Sequence, residues 1–212
     1  MKSLLLSLLI ACSLLSCNNK KENNSAPASK NNTADSVTPS KPERPTVNPY
    51  AGVDISPMDM AYFPADYPKL KMSKAISTAP LARIIYSRPH LQGRHIFHEV
   101  LKYEEPWRLG ANEATELELF SDATIQGKKI KAGRYSIYCI PHKDNWTVAI
   151  NSSIDTWGLE PDLSKDIARF TVPVSTTNNT LEFFTMVFLK KDAGAELLMA
   201  WDDVEVRLPI SF

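Results

Sequence analysis

Strict alternation of apolar and polar residues, broken every eight to twelve residues by turn formers, is the feature that most constrains this chain. Thr115, Leu117 and Leu119 alternate with Glu116 and Glu118. Tyr135, Ile137 and Cys139 alternate with Ser136, Tyr138 and Ile140, and Trp146, Val148 and Ile150 with Asn145, Thr147 and Asn151. A period of two puts successive side chains on opposite faces of a strand, so each run buries one face of a sheet. Further strand-like runs are Leu81 to Tyr86, Ile167 to Val174, Thr180 to Leu189, Leu197 to Trp201 and Val204 to Ile210. Turns are expected at Gln126-Gly127, Ala132-Gly133, Lys143-Asp144-Asn145, Asn178-Asn179 and Asp192-Ala193-Gly194. Many short strands without long amphipathic helices predict an all-β domain, a single β-sandwich of jelly-roll-like type or a related barrel. One or two short helices are expected: Asp162 to Ile167, capped by Asp162 or Ser164, and a turn or helix near Ile96 to Val100.

This domain takes up residues 50–212, enough for one real core. The preceding residues read differently. Lys2 and then an apolar run from Leu4 to Leu15 have the layout of a secretory signal, too short for a membrane span of ~18–20 residues. The run ends in Leu14-Leu15-Ser16-Cys17, which resembles the lipobox of bacterial lipoproteins. That resemblance implies removal of residues 1–16, diacylglyceryl transfer to the Cys17 sulfur and acylation, typically palmitate, of the new amine. Residues 18–49 hold five prolines, many Asn, Ser and Lys, and no aromatic, Leu or Ile. Such a segment cannot bury enough apolar surface to offset its ordering entropy. Residues 17–49 are therefore expected to be a lipidated, disordered tether, reaching roughly 30 Å. Asn18, not aspartate, follows the cysteine, which favours the outer membrane, on its periplasmic face or at the cell surface.

The anchor changes the cysteine arithmetic. Of three cysteines, Cys12 leaves with the signal and Cys17 is acylated, leaving Cys139. No internal disulfide is then possible, so stability must come from the core. Cys139 lies in a strand-like run and reads as a buried, inert thiol. Charge excludes one class of partner. The chain has 24 basic and 24 acidic residues, and loss of Lys2 leaves 24 − 1 = 23 against 24, a net −1. Without a long basic run in the domain, nucleic acid is not expected as a partner.

Several segments occur in a recognisable order: Ser56-Pro57-Met58-Asp59-Met60, Ile85-Tyr86-Ser87-Arg88-Pro89, Gly93-Arg94-His95-Ile96-Phe97 and Pro106-Trp107-Arg108-Leu109-Gly110-Ala111-Asn112-Glu113-Ala114-Thr115. Ala132-Gly133-Arg134-Tyr135, Asp155-Thr156-Trp157-Gly158 and Ala200-Trp201-Asp202 follow. Together they resemble domain of unknown function 2911 over roughly residues 54–212. The resemblance implies an exported, often lipid-anchored protein and carries no activity, cofactor or catalytic residue with it.

The chemistry-bearing residues concentrate in Trp107–Thr115. Arg108 can clamp an anion with two prongs, Trp107 offers a flat face to a ring, and Asn112 both donates and accepts. Glu113 adds a carboxylate to the same segment, and at the mouth of a sandwich Arg94 and Trp157 are its expected neighbours. The expected ligand site is thus Arg94, Trp107, Arg108, Asn112, Glu113 and Trp157. In the competing structural reading, Asn112 fixes a turn, Arg108 pairs with Asp155 or Asp166, and Trp107 is core. His90, His95 and His98 would share a face only on a helix, and no H-E-x-x-H or thiolate pair supports them, so neither metal nor other cofactor is expected. His142, at a strand end, reads as exposed. Ser87 lacks the glycines of a nucleophile elbow. Glu113 with Glu116, or Asp202 with Asp203, would serve a glycosidase only if they faced one another across a cleft. The expectation is a non-enzymatic envelope lipoprotein binding a polar small molecule or glycan at Trp107–Thr115. The alternatives are an envelope hydrolase with a cleft around Arg94, Arg108 and Glu113, and a scaffold that pairs an exposed strand edge with a protein partner.

Overall fold

The period-two runs form antiparallel strands, each placing its apolar set inward. The structure, a computed structural model, describes Gly52, residues 54–192 and residues 194–212, with His98 placed only as backbone. The leader, Cys17 and the tether lie outside the described residues. The strands are β1 (Met58–Phe63), β2 (Ala82–Ser87), β3 (Glu116–Leu119), β4 (Ala123–Ile125), β5 (Lys128–Ile130), β6 (Gly133–Pro141), β7 (Asn145–Asn151), β8 (Asp166–Lys191) and β9 (Gly194–Ser211). They form a sheet in the order β1-β2-β3-β6-β7-β8-β9-β4-β5. One α-helix, α1 (Tyr67–Met72), precedes β2 and buries no residue. No helix among the described residues is long and apolar enough to cross a membrane.

The long strand β8 turns this sheet into two facing layers. Asp166 to Pro173 pairs with β7, and Val174 to Lys191 pairs with β9, so β8 leaves one layer and continues in the other. The β4–β5 hairpin makes the same crossing, leaving β3 to join β9 through Thr124 and Ser211. Its turn carries Gln126 at φ 45° and Gly127 at φ 80°, the doubly left-handed geometry that suits the twist of a two-residue hairpin. Between the layers, Leu117, Ile137, Trp146, Phe184, Phe188, Leu197 and Trp201 are fully buried. Tyr86 of β2 links the layers by polar contact as well. Its hydroxyl donates to the Met186 carbonyl at 3.2 Å and accepts from the Met186 amide at 2.8 Å. Cys139 is buried, and burial pushes its thiol well above the ordinary range, which keeps it inert.

Two expected boundaries differ. Asn178-Asn179 makes no chain reversal, because β8 runs through it. The buried residues Ala168, Phe170, Val172, Phe184, Met186 and Phe188 keep one parity across the pair, so the strand needs no reversal to hold its face. Likewise Leu197–Trp201 and Val204–Ile210 belong to one strand, β9. There the buried parity does flip, from Leu197, Met199 and Trp201 to Val204, Val206, Leu208 and Ile210. Asp202, at φ +56°, stands where the face changes, opposite the β8 residues Thr176 to Thr185 at which the pairing register shifts. The helix expected from Asp162 is a 3-10 turn, Leu163–Lys165, with the Asp162 carboxylate accepting from the Ser164 amide at 3.0 Å. The turn near Ile96 is a single π-helical turn, Ile96–Val100.

Burial also sets an alkaline limit. Burial, and secondarily the Asp59 charge, push the Tyr86 hydroxyl up from 10.0 to about 12, against the opposing effect of the Met186 backbone bond. A group whose folded pKa is raised contributes stability that is complete below the unfolded value and is lost as pH climbs from 10 towards 12. Tyr86→Phe is expected to flatten this alkaline limb by on the order of 2 kcal/mol. Urea unfolding at a series of pH values up to 12 checks this; parallel curves for the two proteins would contradict it.

Candidate functional site

The segment 106–115 packs one side of itself into the core and leaves the other facing a cleft. Its backbone is tied down at Trp107, whose amide donates to the Cys139 carbonyl at 2.7 Å and whose carbonyl accepts from the Cys139 amide at 2.9 Å. The Trp107 indole points inward, stacked on Trp201 at 5.8 Å and set edge-on to Phe184 and Trp146. Its Nε1 donates to the Gly110 carbonyl at 3.1 Å, so the ring's polar end is satisfied within its own turn. Leu109 is fully buried although its φ is +54°. Gly110 lies so close to β2 that a Cβ there would meet the Ser87 carbonyl oxygen at 3.0 Å. Thr115 Oγ1 closes the turn by donating to the Leu109 carbonyl at 2.6 Å.

With Trp107 and Leu109 turned inward, Arg108 projects the other way. Its guanidinium carbon stands 5.9 Å from the centroid of Trp157, a cation–π distance. Trp157 is 55 % exposed, so the pair lies at the rim rather than in the core. Arg108 Nε and Nη1 are closed off from solvent and have no hydrogen-bond partner among the described residues. Burial lowers the Arg108 pKa from its ordinary value, while the nearby Glu113 charge acts in the opposite sense. Asp155 and Asp166, the carboxylates expected to pair with Arg108, are taken by other arginines: Asp155 bonds Arg134 at 3.1 Å and Asp166 bonds Arg169 at 2.6 Å.

The loop carrying Trp157 is seated by its glycine. Gly158 has φ +78°, and a Cβ there would meet the Ala114 Cβ at 2.8 Å and the Arg108 Cβ at 3.2 Å. The Ala114 amide donates to the Thr156 carbonyl at 3.0 Å, joining this loop to the 106–115 turn. Gly158→Ala therefore combines left-handed strain with a collision between two well-anchored segments, and a loss of about 1–2 kcal/mol is expected. Gly127→Ala, with similar φ (+80°) but open space around the Cβ, isolates the strain component. Equal losses in urea unfolding would show that the collision relaxes freely.

Between these elements lies a cleft of about 370 Å³, walled by Val100, Leu101, Pro106, Trp107, Arg108 and Leu159, with Trp201 at its base. A smaller cavity of about 90 Å³ shares Arg108 and Gly158 and is lined on its far side by Tyr138, Asn151, Glu160 and Asp162. Its polar groups are largely engaged with one another. Tyr138 donates to Asp166 at 2.8 Å, and Asn151 Nδ2 donates to the Asp162 carbonyl and to Asp166, each at 2.8 Å. Burial and the Asp166 hydrogen bond raise the Tyr138 pKa to about 12.

Of the six expected site residues, Trp107 and Arg108 line the cleft, Trp157 stands against the Arg108 guanidinium without lining it, and Glu113 is near enough to act on the Arg108 charge. Arg94 does not line it. Its Nε donates to the Leu91 carbonyl at 2.7 Å and its Nη2 to the His90 carbonyl at 3.0 Å, within its own loop. Asn112 takes φ +60° and donates to Asp54, shaping the turn. Lys102, Glu105 and Leu159 also border the cleft, and none was singled out from sequence. Leu159 had a signal: an apolar residue in a stretch without alternation, left 64 % exposed.

The other candidate chemistries are placed as follows. Ser87 is buried and donates to the Met58 sulfur at 2.9 Å. Glu116 is bonded to Arg134, and the buried Asp202 accepts from the Ile96 amide. His142 is half-buried, 2.7 Å from Glu104. The His98 side chain lies outside the described residues, and among the described ones no three His, Cys, Asp or Glu side chains gather as a metal site.

No curated protein and no solved structure matches this chain. A family model described as "Protein of unknown function (DUF2911)" matches residues 68–210, which is 210 − 68 + 1 = 143 of the 212 residues. That span runs from α1 through nearly all of β9, so it contains the Arg108 turn, the Trp157 loop and the core beneath them, and the chain belongs to this family.

Proposed function

We propose that this protein is a non-enzymatic binding module of the bacterial cell envelope. It is anchored by lipid on Cys17, in the outer membrane, and takes a polar small molecule or a glycan in the cleft beside Arg108. The observation that carries the binding reading is the Arg108 guanidinium. Two of its nitrogens are withdrawn from solvent without a hydrogen-bond partner among the described residues, next to a 370 Å³ cleft. Leaving a buried charged donor unsatisfied costs about 1–3 kcal/mol or more, a cost that a ligand acceptor would relieve. The cleft volume lies at the small end of the ~300–1,000 Å³ range of small-molecule sites. A hydrolase built on Arg94, Arg108 and Glu113 has less support, because Arg94 is engaged within its own loop. The leader and lipobox-like segment support the envelope reading.

The test is a thermal-shift screen of the full-length chain against small organic acids, sugars, oligosaccharides and divalent metals. For a ligand found this way, Arg108→Gln is expected to weaken binding about 10- to 100-fold, the loss of one charge-assisted hydrogen-bonded pair. Its unfolding midpoint should stay at or above that of the parent, since the variant removes an unsatisfied buried charge. A collapse of stability in Arg108→Gln would instead identify a structural arginine. For the anchor, Cys17→Ser is expected to shift the protein from the membrane to the soluble fraction and to abolish palmitate labelling.

A further inference from the structure

We propose that the cleft takes an organic monoanion with an apolar, ring-sized body, a carboxylate on an aromatic or alicyclic frame, in preference to a neutral glycan. This rests on the reading of the cleft as a binding site and narrows its ligand.

The wall chemistry is the first argument. Val100, Leu101, Pro106, Trp107 and Leu159 present apolar surface to the cleft. The Trp107 Nε1, which might have served a hydroxyl, is already donated to Gly110. A sugar ring brings several hydroxyls, and each one buried without a partner costs about 1–3 kcal/mol. An apolar frame meets no such cost there and gains about 25 cal/mol per Å² of surface removed from water.

Charge is the second. The charged side chains on the wall are Lys102, Glu105 and Arg108. Lys102 and Glu105 stand 3.4 Å apart and largely cancel. Arg108 remains the unbalanced charge on the wall, and this complements one negative charge; its Nε and Nη1 make no hydrogen bond and are closed off from solvent, so an anion reaches them by turning the side chain toward the cleft. Glu113 acts on Arg108 through space, but it leaves Nε and Nη1 free of hydrogen bonds. The small cavity that Arg108 also lines carries Glu160 and Asp162, which repel an anion and make the cleft the better place for it. Trp157, over the guanidinium, holds its plane and orients the fork.

Size is the third. A cleft of 370 Å³ suits a molecule of one or two rings rather than an oligosaccharide.

The experiment is isothermal titration of the full-length chain with four probes: 2-naphthoate, its neutral isostere 2-naphthamide, glucuronate and maltotriose. Naphthoate is expected to bind about tenfold or more tightly than the amide, the difference one charge-assisted contact supplies. Arg108→Gln should erase that difference between acid and amide, a change that partial unfolding does not mimic because unfolding weakens both. Leu159→Ser, at an exposed wall position, should weaken acid and amide alike. Equal binding of acid and amide, or an acid–amide difference that persists in Arg108→Gln, overturns the inference. Maltotriose or glucuronate binding more tightly than naphthoate, with loss in Trp157→Ala, also overturns it while leaving the cleft as the binding site. Heat from none of the four probes counts against both readings together.

Discussion

Replacing Trp201 with alanine is expected to remove about 4 kcal/mol of stability, within the ~3–5 kcal/mol range for large aromatic-to-alanine changes in a core. Trp201 is fully buried, stacks on Trp107 at 5.8 Å and packs on Phe184 at 6.1 Å. Its Nε1 donates to the Glu182 carbonyl at 3.1 Å, so alanine also removes one of the two hydrogen bonds that carbonyl accepts, the other coming from the Leu91 amide at 3.0 Å. The residue lies where the β9 apolar face meets the underside of the Trp107 turn, and neither neighbour can collapse into the void, because Trp107 is held by two backbone hydrogen bonds to Cys139. No disulfide cushions the loss among the described residues, whose single cysteine is Cys139. Against a typical total of ~5–15 kcal/mol, this variant should be near the edge of folding at ordinary temperature. Trp201→Phe, which keeps most of the volume, should lose clearly less. Urea unfolding of the three proteins decides it, and a loss below about 1 kcal/mol for the alanine variant would show that the aromatic cluster repacks. The same variant removes the base of the cleft, so it cannot serve as a binding test.

Asp202 is expected to show the second large effect, with a pattern that separates two causes. It is a buried carboxylate, and its Oδ2 accepts from the Ile96 amide at 3.2 Å, holding the start of the π-helical turn. It also stands in the left-handed region at φ +56°, where the buried face of β9 changes opposite the irregular pairing of β8. Asp202→Ala removes the acceptor and keeps the unfavourable φ, and about 2–3 kcal/mol of destabilisation is expected. Asp202→Gly removes the acceptor but relieves the φ strain, so it should lose less than alanine. Asp202→Asn keeps an acceptor and tolerates the left-handed region, so it should lose least. Denaturant midpoints of the series give the order directly. If glycine and alanine prove equal, the backbone at Asp202 carries no strain worth counting.

Much of the fold was readable from pattern. The alternation of β3, β6 and β7 and the parity change between Trp201 and Val204 are local properties, and each maps onto a buried face. The Gln126-Gly127 turn was readable because few residue pairs accept two positive φ values in succession. Strand β1 and the crossing of the β4–β5 hairpin were not. β1 keeps Met58 and Met60 exposed at the sheet margin, so its alternation is weak, and β4 and β5 are only three residues each. Residues such as Ser136 and Tyr138 are buried on the face that alternation assigns to solvent, and the small cavity whose far wall is the 151–162 segment lies over that face. Period two says which side chains share a face, not whether a loop will cover the other one.

The Trp107–Thr115 turn shows the same division at the site. Its composition alone marked it as the richest concentration of recognition chemistry on a chain of many short strands without long amphipathic helices, and that followed from local residue types. Whether Trp107 was a platform or core, whether Arg108 was paired, and whether Arg94 belonged beside it depended on contacts between residues distant in sequence. The Trp201 and Phe184 rings drew Trp107 inward. The pairing of Asp155 and Asp166 with other arginines left Arg108 Nε and Nη1 without hydrogen bonds. The Leu91 and His90 carbonyls engaged Arg94. Alternation and turn chemistry act over a few residues and so are written in the chain. Burial and pairing depend on which segments the folded sheet brings together, and only packing of the two layers resolves that.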